Sequence, residues 1–132
     1  MRKPRFRSRP EDLLQDKIIT FLEQRGWMVE KMHGNAFQHG IPDLYCWNEG
    51  LDMHRWIDVK VEGKHEYTKR QCQKWPKWEA RGLGVWIMMY PSEEWYAKLF
   101  KPPNFRDYWK PRYDRYLDDP EEIIQEILEE NT

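Results

Sequence analysis

The chain has 132 residues, with 22 Lys and Arg against 23 Asp and Glu, 39% hydrophobic residues and two cysteines. That length suits one domain with a single core, and the cysteines, Cys46 and Cys72, match no metal-ligand spacing and read as reduced thiols of an intracellular protein. No apolar run approaches the roughly 18 residues of a membrane helix and no signal-peptide segment opens the chain, so a soluble, cytoplasmic protein is expected. The formal net charge of −1 conceals an uneven distribution: residues 1–10 carry five bases and no acid, residues 117–132 seven acids and no base. A near-neutral total therefore leaves nucleic acid open as a partner.

In chain order, residues 1–9 read as a basic arm whose Arg2, Lys3, Arg5, Arg7 and Arg9 serve as phosphate contacts or as a solubilising tail. A helix is predicted over about 10–25, with Pro10, Glu11 and Asp12 in its first turn and Gly26 beyond its end. Leu14, Ile18 and Leu22 mark its inward face. Glu11 is either a simple first-turn acid or a site acid, and Gln15 lies one turn further on the same side. A first strand over 27–32 leads to a polar loop, 33–40, containing His33 and His39. Their spacing fits no zinc pattern; they are solvated loop residues, DNA contacts or proton-transfer groups. His54 and His65 stand isolated.

Strands over about 41–47 and 54–62 are joined by 48–52, where Gly50 and polar neighbours predict an antiparallel hairpin. In 56–62 the period-two alternation puts Ile57, Val59 and Val61 on one face and Asp58, Lys60 and Glu62 on the other. Thr68, followed by Gln71, forms a capping-box pattern opening a second helix. That helix carries Trp75 and Trp78 on one side and Lys69, Arg70, Lys74, Lys77 and Arg81 elsewhere; Pro76 is expected to kink or shorten it, and Gly82 and Gly84 to close it. The apolar run 85–90 predicts a central strand buried on both faces. Beyond Pro91, Ser92 caps a short helix, 101–116 is rich in proline and aromatics, and a last helix opens at Asp119-Pro120-Glu121 with a stripe of Ile123, Ile124, Ile127 and Leu128. The aromatic segment wraps the domain, packs on a partner subunit or stacks on unpaired bases.

The chemistry concentrates in Gly40-Ile41-Pro42-Asp43 and Asp58-Val59-Lys60. An isolated D-x-K tripeptide is usually a solvated strand face. Hairpin pairing, however, brings Asp43 and Asp58 to nearby ends of one sheet, where two carboxylates can hold a hard divalent cation beside a lysine. Taken with Glu11, Leu44 and Thr68-Lys69-Arg70-Gln71, these residues fall in the order of the PD-(D/E)XK nuclease superfamily. Residues 8–90 resemble its VRR-NUC-like branch, which includes phage-type Holliday-junction-resolvase-like endonucleases. Asp58 departs from the branch, which more often has Glu there.

The resemblance implies an α/β fold with a restriction-endonuclease-like αβββαβ core and a mixed sheet. It implies a nuclease core over 10–91 behind the basic arm 1–9, with 92–132 as an extension packing on the core or on a partner subunit. Mg2+ or Mn2+ would be bound by Asp43, Asp58 and the Val59 carbonyl, with Glu11 acting through water. Lys60 would be the catalytic base or water-orienting group, and Gln71 its support. Arg2, Lys3, Arg5, Arg7, Arg9, His39, Lys64, Lys69, Arg70 and Lys74 would contact DNA. Branched DNA is the implied substrate, a homodimer the implied state, and a phage-encoded enzyme acting in host cytoplasm the implied setting. The rival readings are a non-catalytic nucleic-acid-binding module on the same fold, and a protein-interaction domain using the aromatic segment.

Overall fold

The computed structural model describes residues 10–32, 39–112 and 120–130, so the arm at 1–9 and His33 lie outside the described residues. Helix α1 (Pro10–Glu23) ends where Gly26 takes a φ of +88°. There the Gly26 N–H reaches the Glu23 carbonyl and the Trp27 N–H the Leu22 carbonyl, each at 3.1 Å. This 5→2 and 6→1 pairing is a Schellman end, with the accompanying apolar contact supplied by two buried residues, Trp27 and Leu22. Ile18 and Leu22 point inward as expected and Leu14 is half-buried; Gln15 is buried as well.

Strand β1 (Met28–Lys31) pairs antiparallel with β2 (Leu44–Asn48), and β2 antiparallel with β3 (Met53–Val59). The β2–β3 hairpin is the predicted one, with Asp52 turned to a φ of +54°. Helix α2 (Lys69–Ala80) then crosses to β4 (Val85–Met88), which lies parallel to β3. The order β1-β2-β3-β4 makes a mixed sheet, and the expected αβββαβ succession is realised. Both halves of the Thr68–Gln71 capping box form at the head of α2. Its end repeats the device of α1, with Gly82 at a φ of +94°.

Three local expectations are corrected. Helix α2, expected to be kinked or shortened by Pro76, is not cut short there and runs to Ala80; Trp75 and Pro76 are both buried, and their packing offsets the roughly 3 kcal/mol an internal proline costs. Strand β4 is an edge strand and not central, although all four of its residues are buried. Its outward groups are met by a side chain: the Ile87 N–H donates to Asn104 Oδ1 at 2.6 Å and Asn104 Nδ2 donates to the Ile87 carbonyl at 3.4 Å. Finally, the alternation in 56–62 does not separate a dry face from a wet one. Asp58 and Lys60 are nearly as buried as Ile57 and Val59, because the polar face is covered at those two positions, while Glu62 further along it is exposed.

The segment after β4 forms α3 (Glu93–Ala97) and two short 3-10 turns before α4 (Pro120–Glu130). Trp95, Leu99, Phe105 and Ile124 join the same core as Ile57 and Ile87. Phe105 and Trp109 stand edge-on to Trp75 and Tyr67 respectively, at ring separations of 5.9 and 5.3 Å. The described part of the aromatic segment, 101–112, therefore wraps the domain, and its remainder, 113–116, lies outside the described residues.

The loop leading to Asp43 docks on α2 at Gly40. Trp75 Nε1 donates to the Gly40 carbonyl at 2.8 Å, Gly40 has a φ of +83°, and a Cβ there would lie 2.9 Å from Arg70 Cβ and 3.0 Å from the Arg70 backbone. Gly40→Ala is expected to cost about 2–4 kcal/mol, combining a left-handed backbone penalty with overpacking. Urea denaturation measures the loss, and a change below 1 kcal/mol would show that the loop yields freely.

Candidate active site

Strand pairing creates the site. Leu44 lies opposite Ile57, so Asp43 at the entrance to β2 faces Asp58 near the end of β3. Each carboxylate takes an N–H from the other's strand: the Asp43 N–H donates to Asp58 Oδ1 at 3.2 Å, and the Val59 N–H to Asp43 Oδ2 at 2.9 Å. These cross-bonds orient both acids, and among the described residues no lysine or arginine ion-pairs with Asp43.

Lys60 follows directly. Its Nζ lies 3.1 Å from Asp58 Oδ2, 2.9 Å from Gln71 Oε1 and 3.1 Å from the Glu66 carbonyl. An ammonium has three donors, and all three are directed to acceptors. The rings of Tyr67 and Trp75 lie 5.2 and 5.7 Å from Nζ, adding cation–π contact in a dry setting. Gln71 Oε1 also accepts the Thr68 N–H at 3.0 Å. One oxygen of Gln71 thus serves both the helix cap and the Lys60 ammonium.

Asp43, Asp58, Lys60 and Gln71 line an open cavity of about 460 Å³. Glu11 and Thr68 line it as well. Burial, then the neighbouring Asp58 charge and more weakly Glu11, push the Asp43 carboxyl up to about 8, against the pull of the Val59 N–H and Lys60. Such a pair is uncomfortable as two bare anions, and its hard oxygen donors suit Mg2+ or Mn2+. Among the described residues no three His, Cys, Asp or Glu side chains converge as a ready ligand set, so the acidic donors that stand together are the two aspartates.

The remaining candidates divide. Lys64 lines the cavity; Lys69, Arg70, Lys74 and His39 do not, the first three lying along α2 and His39 in the exposed turn before Gly40. Gln15 does not reach the cavity, being buried in α1. Three lining residues were not singled out from the sequence: His65, Glu66 and Arg112. His65, treated as isolated, has a buried Nδ1 without a hydrogen-bond partner, and burial, then Lys110, lower its pKa. Glu66 contributes through its backbone, which no sequence pattern reports. Arg112 arrives by a tertiary bridge.

No protein-family model matches the chain. No curated protein matches it either. Among solved structures, a VRR_NUC domain superposes with a TM-score of 0.56 at 18% identity, over 68% of this chain and 94% of that one. The fold is thus restriction-endonuclease-like, as the mixed αβββαβ sheet already indicated. More narrowly, it is VRR-NUC-like, in agreement with the sequence resemblance.

The raised Asp43 pKa makes a stability prediction for the metal-free protein. The folded value, about 8, exceeds the ordinary 3.8, so the folded state holds the proton more tightly. The resulting stabilisation is complete below about pH 4 and is lost as pH rises through 8. Asp43→Asn removes this liability while keeping a side-chain oxygen for the Val59 N–H. In EDTA the variant should melt above wild type by about 5 °C or more at pH 8, with the gap closing toward pH 5. A gap independent of pH in thermal melts would contradict the assignment.

Proposed function

We propose that the chain is a Mg2+- or Mn2+-dependent DNA endonuclease that hydrolyses phosphodiester bonds, with branched DNA such as a Holliday junction as its preferred substrate. The observation that carries this reading is the Asp58–Lys60–Gln71 chain of contacts beside Asp43, at the wall of a cavity open to a polymer. Asp43, Asp58 and the Val59 carbonyl would hold the cation, with Glu11 as an outer acidic partner. The cation supplies a Lewis acid for the phosphoryl oxygens and a water activated near neutral pH.

The protein's own groups do the rest. Asp58 is held by the Asp43 backbone N–H and Asp43 by the Val59 backbone N–H, so their orientation is set before substrate arrives. Lys60 has all three protons engaged, which favours a fixed positive charge that orients water and stabilises charge growing on the phosphate over a proton acceptor. Gln71 holds that ammonium in place. Lys64, Lys69, Arg70, Lys74, His39 and the arm carrying Arg2, Lys3, Arg5, Arg7 and Arg9 are the DNA contacts that steer the strand. A homodimer fits the substrate, because symmetric cuts across a junction need two sites related by a two-fold axis.

The test is cleavage of four-way junction, flap and linear duplex DNA with Mg2+ or Mn2+. Wild type should cut the junction fastest, and Asp43→Ala should lose about 100-fold or more in rate while still folding. Equal cleavage by wild type and Asp43→Ala would sink the proposal, and salt-sensitive binding with no product would leave a binding module.

A further inference from the structure

Beyond the cavity, the sheet face that carries Asp43 and Asp58 continues as a row of aromatic rings. Side chains alternate across a strand, so Tyr45 and Trp47 of β2 project on the same face as Asp43, at steps of about 7 Å. On β3, Trp56 lies opposite Tyr45 and His54 opposite Trp47. The rings meet in sequence: Trp47 and Tyr45 at 5.6 Å, Tyr45 and Trp56 at 4.9 Å, Trp56 and Trp78 of α2 at 5.8 Å. The Tyr45 hydroxyl shares a hydrogen bond with His54 Nδ1 at 2.6 Å, which fixes its ring. Leu44, Cys46 and Ile57, alternating with these residues, are fully buried, whereas Tyr45, Trp47, Trp56 and Trp78 are half-buried and His54 is exposed. Met28, across from Trp47 on β1, is 56% exposed. The rings therefore form a ledge partly open to solvent.

We propose that this ledge is a stacking platform for bases that come unpaired at a branch point, continuing from the cavity along the strand being cut; this rests on reading the cavity as a DNA-cleaving site. One side of α2 borders the ledge with positive charge. Arg70, Lys74, Trp78 and Arg81 recur at helical spacing and so lie along one face of α2. That face meets the sheet at two points: Gly40, in the loop leading to Asp43, packs on Arg70, and Trp78 touches Trp56. Arg70 and Arg81 are exposed and Lys74 is half-buried. Among the described residues none of the three bases is ion-paired, and Arg70 Nη1 donates to Gln73 Oε1 at 3.3 Å. On the far border Glu30 of β1, across from Tyr45, is exposed and repels phosphate. Rings with cations on one side and an acid on the other match a single strand, whose bases lie to one side of its phosphates. Every base has a π-face, so the platform is indifferent to sequence. A duplex keeps those faces in its own stack and finds only the cations here. A second copy of this chain would bring no phosphates to answer them.

The experiment measures binding of a fluorescein-labelled oligothymidylate and of a blunt duplex of equal length, in EDTA over a range of salt concentrations. The proteins are wild type, Trp47→Leu, Trp47→Phe, Lys74→Ala and Phe100→Ala, the last removing a ring that is 47% exposed elsewhere. Trp47→Leu keeps apolar bulk without a ring and should bind oligothymidylate about 5-fold to 100-fold more weakly. Its slope of log K against log salt should not change, whereas Lys74→Ala should lower that slope by about 0.7, the loss of one phosphate contact. Trp47→Phe should keep most of the affinity, Phe100→Ala should match wild type, and duplex binding by the Trp47 variants should change by less than about twofold. Met28→Trp gives a readout that misfolding cannot imitate: a ring added beside Trp47 should tighten oligothymidylate binding about twofold or more. Equal single-strand binding by wild type, Trp47→Leu and Met28→Trp, or none by wild type, overturns the inference. So does a dimer that Trp47→Leu dissociates while oligothymidylate binding stays intact, which assigns the face to a second copy. Ring-dependent binding by a protein that cuts no DNA upholds the platform and removes the nuclease reading. Junction cleavage with ring-independent binding removes the platform and leaves that reading standing.

Discussion

The ion pair between Asp58 and Lys60 is the constraint around which the domain is organised. Their side chains are 2% and 7% exposed, and removing two charges from water costs several kcal/mol each unless every lone pair and proton finds a partner. The fold meets that demand from four directions. The entrance to β2 gives Asp58 an N–H, the β3–α2 linker gives Lys60 a carbonyl, the first turn of α2 gives it an amide oxygen, and two aromatic rings exclude water. Moving any of these elements strands a buried charge. Positions remote from the cavity, such as Gly40 where the Asp43 loop rests on α2, are therefore tied to the chemistry.

Gln71 shows how closely stability and site geometry are joined. Its Oε1 completes the capping box of α2 and holds the Lys60 ammonium in the same instant. The helix start and the lysine position are thereby one variable. Substitution at Gln71 moves both, and only a double-mutant cycle with Thr68 and Lys60 separates the contributions.

Much of this was legible in the chain. The capping box, the hairpin at Gly50, the Gly26 and Gly82 helix ends and the αβββαβ succession of elements all follow from local signals, and the Asp43–Asp58 juxtaposition follows from the hairpin. What escaped has a common cause: it depends on what covers a face, which periodicity does not encode. Alternation put Asp58 and Lys60 on one side of β3 but could not reveal that Tyr67, Trp75 and Gln71 close over that side. The apolar run 85–90 looked like a central strand because burial on both faces is the same pattern whether a neighbouring strand or Asn104 supplies the outer hydrogen bonds. Pro76 looked like a breaker because its cost is local while its compensation is tertiary. Arg112 carries no signal at all, since a single parallel bridge to a residue far back in the chain has no periodicity.

The Asn104 contact has a consequence for how this molecule meets others. A sheet edge is a template onto which a further strand can add, and strands with dry faces are the most hazardous templates. At β4 the outward N–H and C=O of Ile87 are answered by an amide side chain, which imitates a strand for the space of one residue and cannot be extended. Growth of the sheet by strand addition is thus blocked on that side. At the opposite edge lies β1, four residues long, mostly exposed and ending in Glu30 and Lys31. It is short and charged, so any strand joining there must match both signs. The sheet is polar in its sociability: sealed beside the parallel strand, selective beside the antiparallel one.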